Sequence, residues 1–232
     1  MKAAVINFSG NVGKSTVARH LLFPRIAGAA FVSVETINAD EGDGDSVRGK
    51  QFGQLQEQLL QLDAAVIDVG SSNVEDFIKL MRQYQGSHED VDLFIVPAVK
   101  ESKQIKDTIA TIQVLAAMGV PAKKLRVVFN KIETDDTVED DFYPLFAFHA
   151  DSKAFTLRPK AAIAFSELYQ RLRAGKTTIA ELLADTTDYK AKLREAKTPE
   201  DKANAAARIS LRRLAASAQA NLDTVFSALT VR

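Results

Sequence analysis

The chain has 232 residues, 46% of them hydrophobic and 26% charged, which is typical of a globular protein long enough to bury a core. It contains no cysteine, which excludes disulfide scaffolds, thiolate metal sites and cysteine nucleophiles, and its three histidines lie too far apart to favour a zinc site. The formal net charge of zero divides into −6 over residues 1–149 (15 basic, 21 acidic) and +6 over residues 150–232 (15 basic, 9 acidic), which hints at a basic appendage.

Short apolar segments alternate with helical patterns in the first part of the chain. The predicted strands are Ala3–Phe8, Ala30–Val34, Ala64–Val69, Leu93–Val96 and Arg126–Phe129. The predicted helices between them are Lys14–Phe23, Val47–Gln61, Val74–Gln85 and Ser102–Met118. This alternation predicts an α/β fold, a mostly parallel sheet flanked by helices, with ligands at the carboxyl ends of the strands. The apolar run at the N-terminus is too short for a signal peptide or a membrane span, so we expect a cytoplasmic protein without a membrane span.

The pattern changes after Asn130. An acidic segment, Glu133–Asp141, reads as a solvated connection, and from about Arg158 the chain is predicted to be helical. The predicted helices there are Ala161–Ala174, Ile179–Ala196 and one from Pro199 to the end, with an apolar stripe from Leu211 to Leu229. We therefore expect a ligand-binding domain over 1–150 and a helical region over 151–232, packed on it or on a partner.

The segment between the first predicted strand and helix has the composition of a phosphate loop. Glycines let backbone N–H groups turn inward around phosphate oxygens, a lysine reaches the outer phosphates, and a hydroxyl binds Mg²⁺. The candidate phosphate-binding residues are Gly10, Asn11, Val12, Gly13, Lys14, Ser15 and Thr16. The full motif would place glycine where this chain has Phe8, and an ordinary glycine turn is the alternative. A similar sequence, Gly175-Lys176-Thr177-Thr178, lies between two predicted helices, where it indicates the end of one helix and the start of the next.

Two further segments fit a nucleotide. Asp68, at the end of the third predicted strand, would hold Mg²⁺ together with Ser15 and act in catalysis with Lys14. Asn130 and Lys131, after the fifth strand, are spaced with Glu133 like the Asn-Lys-x-Asp base-reading motif of GTPases. A plain strand-to-loop transition is the alternative for this segment, and it leaves both ATP and GTP open.

These residues together resemble the deviant Walker A ATPases, the ParA/MinD family of P-loop proteins, and within it the StbB plasmid-stability proteins. The family loop reads Lys-Gly-Gly-x-Gly-Lys-[Ser/Thr], which Gly10, Gly13, Lys14 and Ser15 match in place. Asp68 matches the second switch of the family, and Asn130 matches a base-contacting position. The resemblance covers about residues 1–135.

The chain departs from the family in its loop and in its first switch. The family lysine that reaches across a dimer to the other subunit's phosphate is Ser9 here. The second Asp of the family's Asp-x-Asp switch is Ile37, which leaves Glu35 or Asp40 to orient the attacking water. The expected hydrolysis is therefore slow or dependent on a partner.

The resemblance implies an ATP- and Mg²⁺-dependent switch in positioning, segregation or stability of DNA such as a plasmid. Such a protein would form a homodimer on nucleotide binding and work with a DNA-binding adaptor protein. Arg208, Arg212 and Arg213 are the candidates for non-specific DNA contact, although interleaved acidic residues leave a solvated helix face equally open. The alternatives are a small-molecule kinase or ATP-dependent ligase on the same fold, a weakly hydrolysing nucleotide-binding adaptor, and a GTPase.

Overall fold

A six-stranded parallel sheet forms the centre of the molecule. The computed structural model describes residues 1–34 and 44–231. The strands are β1 (Lys2–Val5), β2 (Ala30–Ser33), β3 (Ala65–Asp68), β4 (Leu93–Ala98), β5 (Leu125–Ile132) and β6 (Ala162–Ala164). They pair in parallel in the order β2-β3-β1-β4-β5-β6. The predicted α/β class with a parallel sheet is confirmed.

Helices cover both faces of this sheet. Their bounds are α1 (Lys14–Thr16), α2 (Gly44–Gln61), α3 (Val74–Gln83), α4 (Ser102–Ala117), α5 (Val138–Asp141), α6 (Tyr143–Ser152), α7 (Leu168–Gly175), α8 (Ile179–Ala184), α9 (Tyr189–Glu195) and α10 (Pro199–Thr230). Because strand side chains alternate, Ala4 and Ile6 lie in the apolar layer with α3 and α4, whereas Ala3 and Val5 lie in the layer with α7 and α10. Both faces of the central strands are therefore buried, which explains why the strands read as unbroken apolar runs.

The first helical segment is not a regular α-helix. After α1 the chain continues as a π-helix, Val17–Leu22, and a 3₁₀ turn, Phe23–Arg25. Pro24 has no N–H to continue the ladder, and the guanidinium of Arg25 donates to the carbonyls of His20 and Leu21 at 2.8 and 3.1 Å. The predicted helix over 14–23 is helical in the structure, but most of it has the wider π geometry.

Two predictions for the C-terminal part are wrong. The helix predicted over 161–174 begins only at Leu168, because Ala162–Ala164 form β6, which covers the open edge of β5. The helix predicted over 179–196 is broken between Ala184 and Tyr189, where the Asp188 carboxylate accepts from the backbone of Lys190 and Ala191 and starts α9. The Asp188 cap therefore starts a new helix, although the surrounding residues favour a continuous one.

The repeated Gly-Lys-Thr-Thr letters at 175–178 lie between two helices, as predicted. Helix α7 ends at Gly175, and Lys176 has the left-handed φ of 47° typical of a residue following a helix end. Thr178 then caps α8 through a reciprocal pair of hydrogen bonds with Glu181. This segment therefore has the local geometry of two helix ends rather than of a phosphate loop.

Helix α10 packs along the sheet. Thr198 caps it by accepting from the backbone of Asp201 at 3.0 Å, and its buried stripe, which includes Leu211, Leu222 and Val225, lies in the apolar layer of β1 and β5. At its other end, the Arg126 guanidinium of β5 donates to the carbonyls of Leu229 and Val231. The division of the chain at residue 150 stays a prediction. Within the described residues, none of the helices combines the length and apolar character that a membrane crossing requires.

Candidate functional site

The candidate phosphate loop lies at the carboxyl edge of the sheet, directly after β1. Strand β1 is flanked by β3 on one side and β4 on the other, so the loop sits where the strand order reverses, the place where such sheets bind ligands. Asn11 and Gly13 have left-handed φ values of 60° and 88°. These values turn the backbone sharply ahead of α1, which is what enclosing an anion with N–H groups requires.

Lys14 is held within the loop. It is 7% exposed, and its Nζ donates to the carbonyls of Asn7 at 3.1 Å and of Ser9 at 2.6 Å. Burial lowers the pKa of Lys14 to about 8, although the charge of Asp68 acts in the opposite direction. The lysine therefore lies at the predicted place, with its ammonium bonded to two of the loop's own carbonyls.

Asp68 and Ser15 fit the predicted metal-binding role by position and chemistry. Asp68 ends β3 and is buried, in register with Val5 of β1 and Ser33 of β2. Ser15 is exposed in the first turn after the loop. Carboxylate and hydroxyl oxygens suit Mg²⁺, which commonly takes one or two protein ligands and completes its shell with phosphate oxygens and water. No group of three or more acidic, histidine or cysteine ligands is gathered in the described part of the chain.

A buried asparagine that sequence reasoning missed organises the base of the loop. Asn7 is fully buried, and its amide donates to the carbonyl of Pro97 and to Thr108 Oγ1, both at 2.8 Å. Its Oδ1 accepts from the backbone of Ser9 at 2.7 Å, and the next residue, Phe8, donates its N–H to Thr111 Oγ1 at 3.1 Å. The loop is thereby tied to β4 and α4. An asparagine inside an otherwise apolar strand segment was the available signal.

The loop after β3 lies beside the phosphate loop. A Cβ built on Gly10 would lie 3.7 Å from Ser71 Oγ. Asn73, the second residue that sequence reasoning missed, donates to the carbonyl of Val34 at 2.7 Å, and Val34 donates to the carbonyl of Asp68 at 2.9 Å. The predicted first switch would continue from the end of β2. Val34 at this end is thus hydrogen-bonded to Asp68 and Asn73 of the predicted second switch. The catalytic candidates Glu35 and Asp40 lie outside the described residues.

The structure shows a contact of Asn130 that differs from the base contact expected from the sequence. Lys131 is exposed, and a cavity of about 560 Å³ nearby is lined by Glu133, Asn221 and the exposed ring of Phe165. Asn130 is buried instead, and its amide donates to the carbonyl of Val12 at 2.8 Å. The structure therefore brings Asn130 to the phosphate loop, and its contact with a base stays a prediction.

The acidic segment after β5 forms an ion pair with the loop that follows β4. Lys100 pairs with Asp136 at 2.8 Å, and this hydrogen bond lowers the pKa of Asp136 and raises the pKa of Lys100. Part of the segment predicted to be a solvated connection is the short helix α5.

The three arginines of α10 have different surroundings. Arg212 donates to the carbonyl of Thr187 at 3.0 Å and lies over the ring of Tyr189, which commits it to contacts within the chain. Arg208 and Arg213 are exposed.

Arg208 also lines a groove of about 770 Å³ between α7, α9 and α10. The other basic side chains of this groove are Arg171, Lys192 and Lys197, and its acidic ones are Glu195 and Asp201.

The comparisons with known proteins bear on the fold. No protein-family model matches the chain, and no curated protein matches it. Among solved structures, MinD, a cell division protein from Aquifex aeolicus, is 12% identical with a TM-score of 0.55, over 100% of this chain and 97% of that one. A McdA variant from Cyanothece in complex with ATP is 14% identical with a TM-score of 0.57, over 100% of this chain and 96% of that one. Nucleotide-free McdA is 15% identical with a TM-score of 0.54, over 78% and 92% of the two chains.

This chain has the fold of MinD and McdA. Its candidate phosphate loop lies between β1 and α1, at the carboxyl edge of the sheet. The resemblance inferred from the motif residues is confirmed for the fold, and a narrower kinship with StbB proteins stays a prediction.

Proposed function

We propose that this protein is a ParA/MinD-type ATPase that acts as a nucleotide-dependent switch in positioning or segregating DNA, such as a plasmid. ATP would be its nucleotide. Lys14 and the loop N–H groups would hold the phosphates, and Ser15 and Asp68 would hold Mg²⁺, which neutralises charge on the transferred phosphoryl group. One observation carries the proposal: Lys14 is buried in a loop whose Asn11 and Gly13 have left-handed backbones, with Asp68 close enough to affect its pKa.

Ser9 supports slow hydrolysis. It occupies the place of the family's first lysine, it is buried, and its carbonyl accepts a hydrogen bond from Lys14. A side chain directed inward cannot reach another subunit as the family lysine does. This observation also favours a second candidate function, a nucleotide-binding adaptor that hydrolyses ATP weakly or not at all.

Nucleotide binding and turnover separate the two functions. We expect the wild type to bind ATP in the presence of Mg²⁺, to hydrolyse it slowly and to dimerise on binding. We expect the Lys14→Ala variant to lose ATP binding and dimerisation. Lys176→Ala is the matched control, because Lys176 lies in a similar Gly-Lys-Thr-Thr segment between α7 and α8. Binding without turnover, with and without DNA, supports the adaptor. If no nucleotide binds and Lys14→Ala changes nothing, the nucleotide function is wrong.

The basic groove supports a DNA contact on the same side as the phosphate loop. Asn221 of α10 is bonded to the backbone of Ala162 and Ala164 in β6, while Leu229 lies beside Arg126 near the start of β5. Helix α10 therefore runs antiparallel to the strands. Arg208, thirteen residues before Asn221, lies about 20 Å along the helix towards the carboxyl edge. Nucleotide binding and DNA binding would then share one edge of the sheet.

Charge reversal tests this contact. We expect Arg208→Glu with Arg213→Glu to weaken non-specific DNA binding in the ATP-bound state and to reduce its dependence on salt concentration. Arg212 is left intact because of its contacts within the chain. The matched control reverses Lys103 and Lys106, two exposed lysines on α4, and changes the net charge equally. Equal DNA affinity of the two double variants would contradict the contact.

A further inference from the structure

Asn130 and Gly13 are in such close contact that each restricts the other. Asn130 Nδ2 donates to the carbonyl of Val12 at 2.8 Å, and any side chain at Gly13 would clash with the same nitrogen. Asn130 is 5% exposed, so this bond is shielded from water. A shielded hydrogen bond to the loop backbone stabilises one loop conformation, because breaking it leaves a buried donor and a buried acceptor unsatisfied.

The strand itself is distorted where it presents Asn130. The pairing of β5 with β6 shifts register between Phe129 and Ile132, and Lys131 has a left-handed φ of 61°. A bulge next to a site re-aims a side chain, and a lysine in a left-handed conformation is strained and persists only where the surrounding structure holds it. The bulge thus brings Asn130 over the phosphate loop, and the next strand residue, Lys131, is exposed.

We infer that Asn130 is a positioning residue for the phosphate loop and acts on the phosphate chain of the ligand, whatever its base. This inference rests on the proposed nucleotide function. The amide holds the Val12 carbonyl and thereby fixes the peptide that leads into Gly13 and Lys14. Loss of Asn130 would let the loop adopt other conformations, and every ligand that this loop encloses would bind more weakly by a similar factor.

Three ligands separate loop positioning from base reading: ATP, GTP and tripolyphosphate, which has no base. The variants are Asn130→Ala and Asn130→Val. Valine fills the position and suits a β-strand, so it guards against a failure to fold. We expect each variant to weaken all three ligands about 5- to 10-fold, the size of one lost hydrogen bond. Thr156→Val is the matched control, because it removes a bond to the carbonyl of Ala122 in the loop before β5 and should change none of the affinities. Weaker binding of ATP alone or of GTP alone, with unchanged binding of tripolyphosphate, would overturn the inference.

Hydrogen exchange in the absence of ligand tests the same inference without nucleotide. We expect the amides of residues 9–16 to exchange faster in both Asn130 variants than in the wild type and in Thr156→Val, with the rest of the sheet unchanged. Unchanged exchange in that loop would overturn the positioning role. If the wild type binds none of the three ligands, the nucleotide function fails, while faster exchange would still support the role of Asn130 in holding the loop.

Discussion

The phosphate-loop region and the C-terminal helix are stabilised by different forces. Around the loop, buried polar side chains bind backbone atoms: Asn7, Lys14 and Asn130 together contact five backbone groups. Helix α10 is held by an apolar stripe, with Arg25 and Arg126 bonding near its C-terminal end. Hydrogen bonds are directional and fix a shape, whereas apolar burial is non-directional and contributes mainly to stability.

This difference predicts that substitutions separate by region. Changes in α10 should lower the free energy of unfolding and leave the ligand affinity of the folded protein unchanged. Changes at the loop should alter affinity as well, because in the proposed function the shape of the loop is what holds the phosphates.

The largest loss of stability is expected from Leu222→Ala. Leu222 is fully buried against the sheet, and truncating such a leucine costs about 3 kcal/mol through lost burial and the cavity left behind. Urea unfolding measures the loss, with Ser217→Ala, exposed on the same helix, as the control expected to stay within about 0.5 kcal/mol of wild type. A loss of ATP affinity in the folded Leu222→Ala protein would show that packing of α10 also controls the shape of the loop.

Asn7→Ala should affect both stability and ligand affinity. It leaves the Pro97 carbonyl and the Ser9 N–H without their partner, at a cost of about 2 kcal/mol. Because Ser9 and Lys14 belong to the loop, ATP affinity should fall as well, which calorimetry at a temperature well below unfolding would measure. The exposed Gln58→Ala is the control for both quantities. An unchanged affinity would mean that the Asn7 network supports the core alone.

Arg126→Met should have a smaller and more local effect. It retains the apolar part of the side chain but removes the donors to the Leu229 and Val231 carbonyls, at a cost of about 1.5 kcal/mol. Hydrogen exchange should accelerate at residues 225–231 and remain unchanged at residues 9–16. Faster exchange at the loop would show that the two regions are coupled.

The smallest expected effect is the pH dependence of Lys14. Folding lowers its pKa from 10.5 to about 8, so between these values the unfolded chain binds more protons and this group's contribution to stability rises with pH. Phosphate favours the charged lysine, so ATP binding should take up a larger fraction of a proton at pH 9 than at pH 7. Calorimetry in buffers of different ionisation enthalpy measures the uptake. It should vanish in Lys14→Arg, since arginine does not titrate there; uptake that persists in this variant would come from another group.

The parts of the fold that the sequence predicted are those with a strong local signal. Strands β1 to β4 are mainly apolar, β5 has an apolar centre, and the candidate phosphate loop has its own composition. Strand β6 was missed because Ala162–Ala164 is short and alanine-rich, so the segment matched a helix pattern while its pairing with β5 is a long-range contact. The break between α8 and α9 carried a readable signal in the Asp188 cap.

The sequence predicted where the candidate site residues lie on the sheet, but not which residues they contact. Gly13, Lys14 and Asp68 occupy the expected edge of the sheet, because the position of a residue after a parallel strand determines the edge where it lies. The bonds of Asn7 with Thr108 and of Asn130 with Val12 join residues about a hundred positions apart. Such pairs depend on strand order and on one bulge, and neither is written in the local sequence.

The Arg126 contacts have a practical consequence for labelling. Arg126 binds main-chain carbonyls of Leu229 and Val231, which every residue type has, rather than a particular side chain. A fluorescent label attached to the side chain at the exposed position 231 would leave both acceptors in place, whereas truncation after Ser227 removes them.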